Sequence, residues 1–462
     1  LQAVGGGHTV TEENDTVEQY DSTGRLLSVT SRSGVTQTLT YQSNPMTITI
    51  KDNFGNTLTL AYDANNRLST VTAPNQQAIT YTYDAQGRLS VVSYPDASTR
   101  QFLYELPGSP NELTGEMDEN ASRWATWVYD SQARGTSGNL ALGANAASMV
   151  FSGDASTTVT DTLGAVRTFT LARYGDRNRI VGISGSQCPT CREPKATSYD
   201  IGAFISSRTD YTGNLTCYAN DTVRGLELVR VEGFAPGSVC PASLSTYTPT
   251  PGTSQRKITT TWKANFRLPD TITEANRKTV FTYDTAGNAL TKTVTDTSVT
   301  PNVSRAWTYT YNGFGQALTA DGPRTDVVDK TTYTYYSCTT GYQCGQLNTV
   351  MSALNQVTTY NTYNAHGQPL TITDPNSVVT TLTYDLRERV KTLQVGTETT
   401  TFDYYPTGLL QKVTLADGSY VPTRHIADMS WHAPDFVAVA ERLMGAPYLW
   451  GGRETAGIDC SG

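Results

Sequence analysis

Apolar and polar residues alternate along most of this chain, in short runs separated by turn signals. Tyr81 and Tyr83 occupy alternate positions before one such signal, and Leu89 and Val91 occupy alternate positions after it. A period of two places these side chains on one face of two strands. Residues 84–87 (Asp-Ala-Gln-Gly) stand between the strands, and there Asp can bond its own backbone while Gly takes a positive φ. This stretch therefore predicts a β-hairpin closed by a type I turn.

The same unit recurs with a fixed period. A tyrosine begins it at 21-residue intervals at Tyr20, Tyr41, Tyr62 and Tyr83, and the interval returns from Tyr363 to Tyr384. A period of this size is typical of repeat architectures. Each period also contains a second turn signal, for example residues 52–56 (Asp-Asn-Phe-Gly-Asn). Two turns per period predict a continuous antiparallel meander of hairpins.

Composition agrees with an extended two-faced sheet. The 462 residues include 27 Tyr against 11 Phe, and only 37% are hydrophobic. Tyr is a good strand former, and an antiparallel sheet can keep one face in water. The net charge of −8 comes without a Lys/Arg cluster, so we expect no nucleic-acid partner. No apolar run approaches the roughly 18 residues that a membrane span needs.

These repeated Tyr-Asp-x-x-Gly units resemble the YD repeats of the YD-repeat (RHS-repeat) family, over roughly Thr11 to Gly418. The resemblance implies an all-β repeat fold, with stacked antiparallel β-hairpins that curl into a partial RHS/YD shell. It also implies a secreted or cell-surface bacterial protein of the toxin type, in which the repeats enclose or present a C-terminal effector. The chain starts at Leu1 without a signal peptide, so we expect a fragment whose export signal lies outside it.

Pattern changes divide the chain into four parts. Repeats fill residues 1–136 and 254–420, and an irregular cysteine-containing region occupies residues 137–253 between them. Residues 421–462 carry a different pattern altogether.

The cysteines allow three interpretations. Six of the seven can form pairs, and these disulfide candidates are Cys188, Cys191, Cys217, Cys240, Cys338 and Cys344. Structural disulfides are the interpretation that we favour, with Cys338 and Cys344 clipping a short loop. A zinc site formed by the first four cysteines is an alternative, although the second pair is widely spaced. A thioredoxin-like pair at Cys188 and Cys191 would need a strand-to-helix context that the sequence lacks.

No metal or cofactor is expected from the remaining residues. Most aspartates stand alone at turns, whereas a calcium site needs several oxygens that converge on one point. His366 also occupies a turn and needs no catalytic role.

A helix signal appears near the C-terminus. Phe436, Val439 and Leu443 follow helical spacing between Pro434, which suits a first turn, and Gly445, which suits a stop. We expect a short α-helical tail, and we expect it to be the least ordered part of the chain because its apolar stripe has no partner sheet in the sequence.

This ending resembles the start of the NlpC/P60 family of papain-like cysteine peptidases, which cleave bacterial cell-wall peptides. The match covers about 435–462 and includes Pro-Tyr-x-Trp-Gly-Gly at 447–452 and Asp-Cys-Ser-Gly at 459–462. It implies the first part of a truncated α+β domain, with Cys460 as the nucleophile. It also implies that Tyr448 and Asp459 hold the free amine of a peptidoglycan peptide.

The chain departs from that family at a decisive point. A catalytic cysteine needs a histidine to activate it, and in this family the histidine follows the cysteine. All four histidines here, which are His8, His366, His425 and His432, precede Cys460. We therefore expect the chain as it stands to be inactive as a peptidase.

Three functions follow from these patterns. The first is a structural scaffold that encloses or presents a C-terminal effector. The second is a fragment of a cell-wall peptidase that the repeats deliver. The third is an artificial fusion of two unrelated reading frames near Val421, where the change of pattern falls in the middle of a repeat.

Overall fold

The regular structure of this protein is almost entirely β-strand. The computed structural model describes residues 2–4, 6–175, 177–187, 194–338, 341–422, 453–454 and 457–458. Within these ranges the only helical element is a short 3-10 helix, Ala141–Gly143, and no helix is long and apolar enough to cross a membrane. The predicted all-β antiparallel class is confirmed. The predicted helix at 434–445 lies outside the described residues.

The chain divides into two compact units, Leu1–Gln368 and Pro369–Gly462. The first part of unit one contains β1 Gln2–Val4, β2 Gly7–Thr11, β3 Val17–Tyr20, β4 Leu26–Thr30, β5 Thr36–Ser43, β6 Met46–Asp52, β7 Thr57–Tyr62, β8 Leu68–Thr72, β9 Ala78–Tyr83, β10 Leu89–Ser93, β11 Thr99–Leu103, β12 Gly115–Met117 and β13 Arg123–Tyr129. Each of these strands pairs antiparallel with the next one along the chain.

The meander continues through the region where the sequence repeat is irregular. Its strands are β14 Gly135–Leu140, β15 Ala147–Ser152, β16 Ser156–Asp161, β17 Val166–Tyr174, β18 Arg177–Gly185, β19 Ala196–Tyr199, β20 Ile205–Thr209, β21 Leu215–Asp221 and β22 Leu226–Phe234. Antiparallel pairing of neighbours is unbroken from β13 to β22. Loss of the sequence period therefore does not interrupt the sheet.

Unit one ends with a further run of repeats. Its strands are β23 Arg256–Trp262, β24 Pro269–Thr273, β25 Arg277–Tyr283, β26 Ala289–Asp296, β27 Val303–Tyr311, β28 Ala317–Asp321, β29 Thr331–Tyr335, β30 Leu347–Met351 and β31 Val357–Tyr363. They continue the same neighbour-to-neighbour antiparallel order.

Unit two is a smaller meander of the same kind. It contains β32 Pro369–Thr373, β33 Val379–Tyr384, β34 Val390–Val395, β35 Glu398–Tyr404, β36 Leu410–Thr414 and β37 Tyr420–Pro422, and a separate pair, β38 Arg453–Glu454 and β39 Gly457–Ile458. From β32 to β37 each strand pairs antiparallel with the next, and β38 pairs with β39.

The strands have two chemically different faces. In β9, Tyr81 and Tyr83 are half-buried while Thr82 between them is exposed. On the exposed side, threonines on neighbouring strands bond to each other, for example Thr282 with Thr291 and Thr310 with Thr319, each at 2.7 Å between hydroxyl oxygens. The predicted period of two therefore sorts tyrosine from threonine, as expected for an antiparallel sheet with one wet face.

One turn geometry joins most of the hairpins. In the turn that starts at Asp84, the Gly87 N–H donates to the Asp84 carbonyl at 3.0 Å, and the Asp84 N–H donates to the Arg88 carbonyl at 2.9 Å. Gly87 has a φ of +82°, and the strand register shifts just after it. A turn followed by a residue of positive φ is a common short hairpin connection with a bulge. In the previous repeat Asn66 takes the same place with a φ of 59°.

Candidate functional site

The recurring tyrosine links each repeat to the one before it. The Tyr83 hydroxyl donates to the backbone carbonyl of Leu68 at 2.8 Å. The same bond, from 14 to 19 residues back along the chain, is made in unit one by Tyr41, Tyr129, Tyr199, Tyr283, Tyr335 and Tyr363, and in unit two by Tyr384 and Tyr404. Each hydroxyl thus satisfies a carbonyl that follows the preceding turn.

The turn aspartate and the arginine four residues later form a second connection. The Asp63 carboxylate accepts the N–H groups of Asn65 and Arg67 at 2.9 Å and the Arg67 Nε at 2.8 Å. The Arg67 guanidinium also lies over the ring of Tyr83 in the next repeat, 4.5 Å from its centroid. The N–H and guanidinium of Arg67 hold the pKa of Asp63 below its usual value, so the cap stays ionised.

This arginine is a residue that the sequence interpretation missed. Arginine recurs five positions after the repeat tyrosine at Arg25, Arg67, Arg88, Arg134 and Arg389. Arg88, Arg134 and Arg389 repeat the 4.5 Å stacking distance over an aromatic ring of the following repeat. The fixed offset was a signal in the sequence, and a count of residue types at each repeat position would have found it.

Two repeats use an uncharged version of the same pair. Asn312 replaces the turn aspartate, and its Nδ2 donates to Oε1 of Gln316 at 2.8 Å. Asn364 and Gln368 make the same bond at the same distance. The chain therefore matches the partner to the cap: arginine accompanies a carboxylate, and glutamine accompanies an amide.

Distant turns of unit one meet in a contact that we call the seam. The Arg267 N–H donates to both carboxylate oxygens of Asp15, at 3.1 and 3.0 Å, across 252 residues of chain. The rings of Phe54 and Phe314 meet edge to face with centroids 5.1 Å apart. Gly345 lies directly against the Phe54 ring. The seam thus joins turns near the start of the unit to connections that follow β23, β27 and β29.

A segment between β22 and β23, residues 235–255, is fastened over the sheet; we call it the strap. Cys240 on the strap forms a disulfide with Cys217 on β21, with Cα atoms 5.7 Å apart, and Cys217 is 0% exposed. Leu244 from the strap packs into a cluster of buried side chains. The other members of that cluster are Leu215, Cys217, Val229, Val231 and Phe234. Most of the sheet has no such core, so the strap marks a locally reinforced part of the meander.

The remaining cysteine predictions have mixed outcomes. Cys338 and Cys344 form a disulfide with Cα atoms 4.3 Å apart. Cys188 and Cys191 lie outside the described residues. A four-cysteine zinc site would need Cys217 and Cys240 as free thiolates, and their disulfide is incompatible with that alternative.

The described residues do not gather a catalytic or metal-binding set. Within those ranges no three His, Cys, Asp or Glu side chains converge as metal ligands. A polar cleft of about 620 Å³ is lined in part by Arg208, Tyr218 and Glu232, and burial raises the pKa of the Tyr218 phenol. A neutral phenol there is a hydrogen-bonding group and a poor nucleophile.

The peptidase residues proposed from the sequence cannot be placed. Cys460, Tyr448 and Asp459 lie outside the described residues, as do His425 and His432. Nucleophilic chemistry at Cys460 therefore stays a prediction.

Comparison with known proteins agrees with the repeat. The family model described as RHS Repeat matches residues 62–99 and 363–401. None of the curated proteins compared with the chain matches it.

Solved structures share the fold. The Photorhabdus luminescens Tc holotoxin pore, in a TccC3 mutant form, is similar with a TM-score of 0.52 and 14% identity over 89% of this chain and 22% of that one. The complex TcdB2-TccC3 gives the same four values, and TcdB2-TccC3-TEV gives 0.52 and 14% over 91% and 23%. This chain thus spans less than a quarter of the chains that it resembles. It carries RHS repeats at 62–99 and 363–401, on a fold similar to that of the Tc toxin structures.

Proposed function

We propose that this chain is the structural repeat scaffold of an exported bacterial protein of the toxin or cell-surface type, and that it encloses or presents a C-terminal effector without being a catalyst itself. The observation that carries the proposal is the repeated link between neighbouring hairpins. The tyrosine hydroxyl, the capping carboxylate and the arginine of these repeats are occupied by bonds within the sheet. A surface built in this way extends by adding repeats.

Two further features support the proposal. The fold likeness is to structures whose names include a Tc holotoxin pore and TcdB2-TccC3 complexes. The disulfides Cys217–Cys240 and Cys338–Cys344 suit an exported protein, because disulfides persist in oxidising compartments.

The test begins with the native gene, read across Val421 and past Gly462. The polypeptide that it encodes is expressed together with this chain and treated with protease under native conditions and in urea. An effector held by the scaffold should resist cleavage until the scaffold unfolds. Equal digestion under both conditions would overturn the enclosing role, and a break in the reading frame at Val421 would separate the scaffold from residues 421–462.

The non-catalytic part of the proposal has its own test. Incubated with purified peptidoglycan, the present chain should release no peptide fragments. Release that disappears in Cys460→Ala would contradict the proposal and assign catalysis to the cell-wall peptidase resemblance.

A further inference from the structure

A short loop of unit one forms one wall of a cleft at the seam. The loop connects β29 to β30, and its base is closed by two backbone bonds between Tyr336 and residues 345 and 346, at 3.1 and 2.9 Å. Gly341 and Tyr342 at its far side line a cleft of about 390 Å³. The other wall comes from the turns at 54–57 and 73–76. The cleft therefore has walls from two distant parts of the chain.

A disulfide determines the shape of that loop. Cys338 and Cys344 are bonded at a sequence separation of 6, which places Gly341 and Tyr342 inside the ring that the disulfide closes. The base of the loop does not depend on the disulfide, because the backbone bonds of Tyr336 and the bond from Gln316 Nε2 to the Gly345 carbonyl, 2.7 Å long, hold it independently. Only the far side of the loop relies on the covalent link.

The two disulfides of unit one sit in different surroundings. Cys217 is 0% exposed inside an apolar cluster, where a departing thiolate would lose its hydration. Cys344 is 8% exposed and is not part of that cluster, and its partner Cys338 is exposed to solvent. Thiol exchange needs access to one sulfur and a leaving thiolate that the surroundings tolerate. Cys338–Cys344 meets both conditions better.

We propose that Cys338–Cys344 is a thiol-exchange site whose reduction opens the cleft at the seam. A dithiol reductant attacks Sγ of Cys338, the S–S bond breaks, and Cys344 leaves as a thiolate that takes a proton from water. The second thiol of the reductant then attacks the mixed disulfide, which releases the Cys338 thiol and a cyclic disulfide. The protein gains two electrons and two protons. Residues 341–342 are then free to leave the cleft, while the Phe54 contact with Gly345 remains.

This site would give an exported scaffold a response to its compartment, a consequence that rests on the proposed function. Oxidising surroundings keep the loop clipped, and reducing surroundings release it while the strap stays fastened.

The experiment combines thiol mapping with hydrogen exchange on the intact chain. Mild dithiothreitol followed by alkylation should label Cys338 and Cys344 and leave Cys217 and Cys240 unlabelled. Deuterium uptake should rise several-fold at the cleft turn, residues 73–77, and should stay unchanged at residues 94–98. These two turns share their backbone bonds and a non-glycine residue of positive φ, Gln76 or Ala97, but the second does not line the cleft.

Variants separate the disulfide from other effects of the reductant. Cys338→Ser with Cys344→Ser should raise uptake at 73–77 without reductant, and dithiothreitol should then add nothing there. Labelling of Cys217 and Cys240 before Cys338, or unchanged uptake at 73–77 after reduction, would overturn the proposal. Neither readout involves an effector, so the outcome is independent of the proposed function.

Discussion

The guanidinium of Arg67 lies 4.5 Å from the centroid of the Tyr83 ring while its Nε donates to Asp63 at 2.8 Å. One side chain thus connects its own turn to the tyrosine of the next repeat. Because a planar guanidinium can bond in its plane and stack on its face at the same time, arginine suits this position better than lysine does.

Replacing Arg67 by lysine should weaken this link. Lysine keeps the charge but loses the stacked plane, and we expect a loss of about 0.5–1 kcal/mol in the local free energy of opening. Native-state hydrogen exchange of β8 and β9 measures it, because contacts in repeat proteins act on neighbours. Arg25→Lys is the matched control, since Arg25 lies 5.6 Å from the Tyr41 ring and should lose less. Equal losses at both positions would show that stacking at 4.5 Å contributes nothing.

The hairpins and their turns were predictable because their causes are local. Alternating Tyr81 and Tyr83 define a face, and Gly87 supplies the positive φ within the same few residues. The seam was not predictable. Phe54 and Phe314 belong to turns that resemble other turns of the chain, and no periodic signal says which distant pairs will meet. The placement of Cys460 depends on residues outside the described ranges, so the resemblance to a peptidase has gained no geometry.

Glycines of the seam should tolerate alanine less well than other turn glycines. Gly24 and Gly345 have φ values of +83° and +71°, so alanine at either pays the left-handed cost of about 1–2 kcal/mol. A Cβ on Gly24 would meet nothing within 4 Å, whereas a Cβ on Gly345 would overlap the Phe54 ring. We expect Gly345→Ala to cost about 1–3 kcal/mol more than Gly24→Ala in urea unfolding.

A second variant identifies the source of that extra cost. Phe54→Ala should remove most of the difference, which gives a coupling energy between positions 54 and 345 in a double-mutant cycle. Additive effects of Phe54→Ala and Gly345→Ala would mean that the seam contact does not limit the substitution.

The uncharged cap at Asn312 should require its uncharged partner. Asn312→Asp places a carboxylate beside Oε1 of Gln316, whose Nε2 already donates to the Gly345 carbonyl at 2.7 Å. We expect a loss of about 0.5–2 kcal/mol from the broken bond and the repulsion between oxygens. Adding Gln316→Arg recreates the pair found at Asp84 and Arg88, and should recover part of that loss.

Urea denaturation of the two single variants and the double variant measures the coupling between positions 312 and 316. The double variant should be less destabilised than the sum of the singles by about 1 kcal/mol. A sum that matches the double variant would refute the match between cap and partner.

Alkaline pH should destabilise unit one through its buried tyrosines. Burial raises the pKa of Tyr363 from 10.0 to about 12, since its hydroxyl is removed from water and donates to the Leu347 carbonyl at 2.6 Å. A raised pKa in the folded state means that the folded chain holds the proton more tightly than the unfolded chain. The stabilisation is therefore complete below about pH 10 and is lost as pH rises towards 12. Urea midpoints measured by circular dichroism between pH 8 and 12 should fall across that window. Tyr363→Phe should be less stable at pH 8 by about 1 kcal/mol, from the lost hydrogen bond, but its midpoint should fall less steeply above pH 10. A variant slope equal to that of the unmodified chain would show that Tyr363 does not contribute to the alkaline transition.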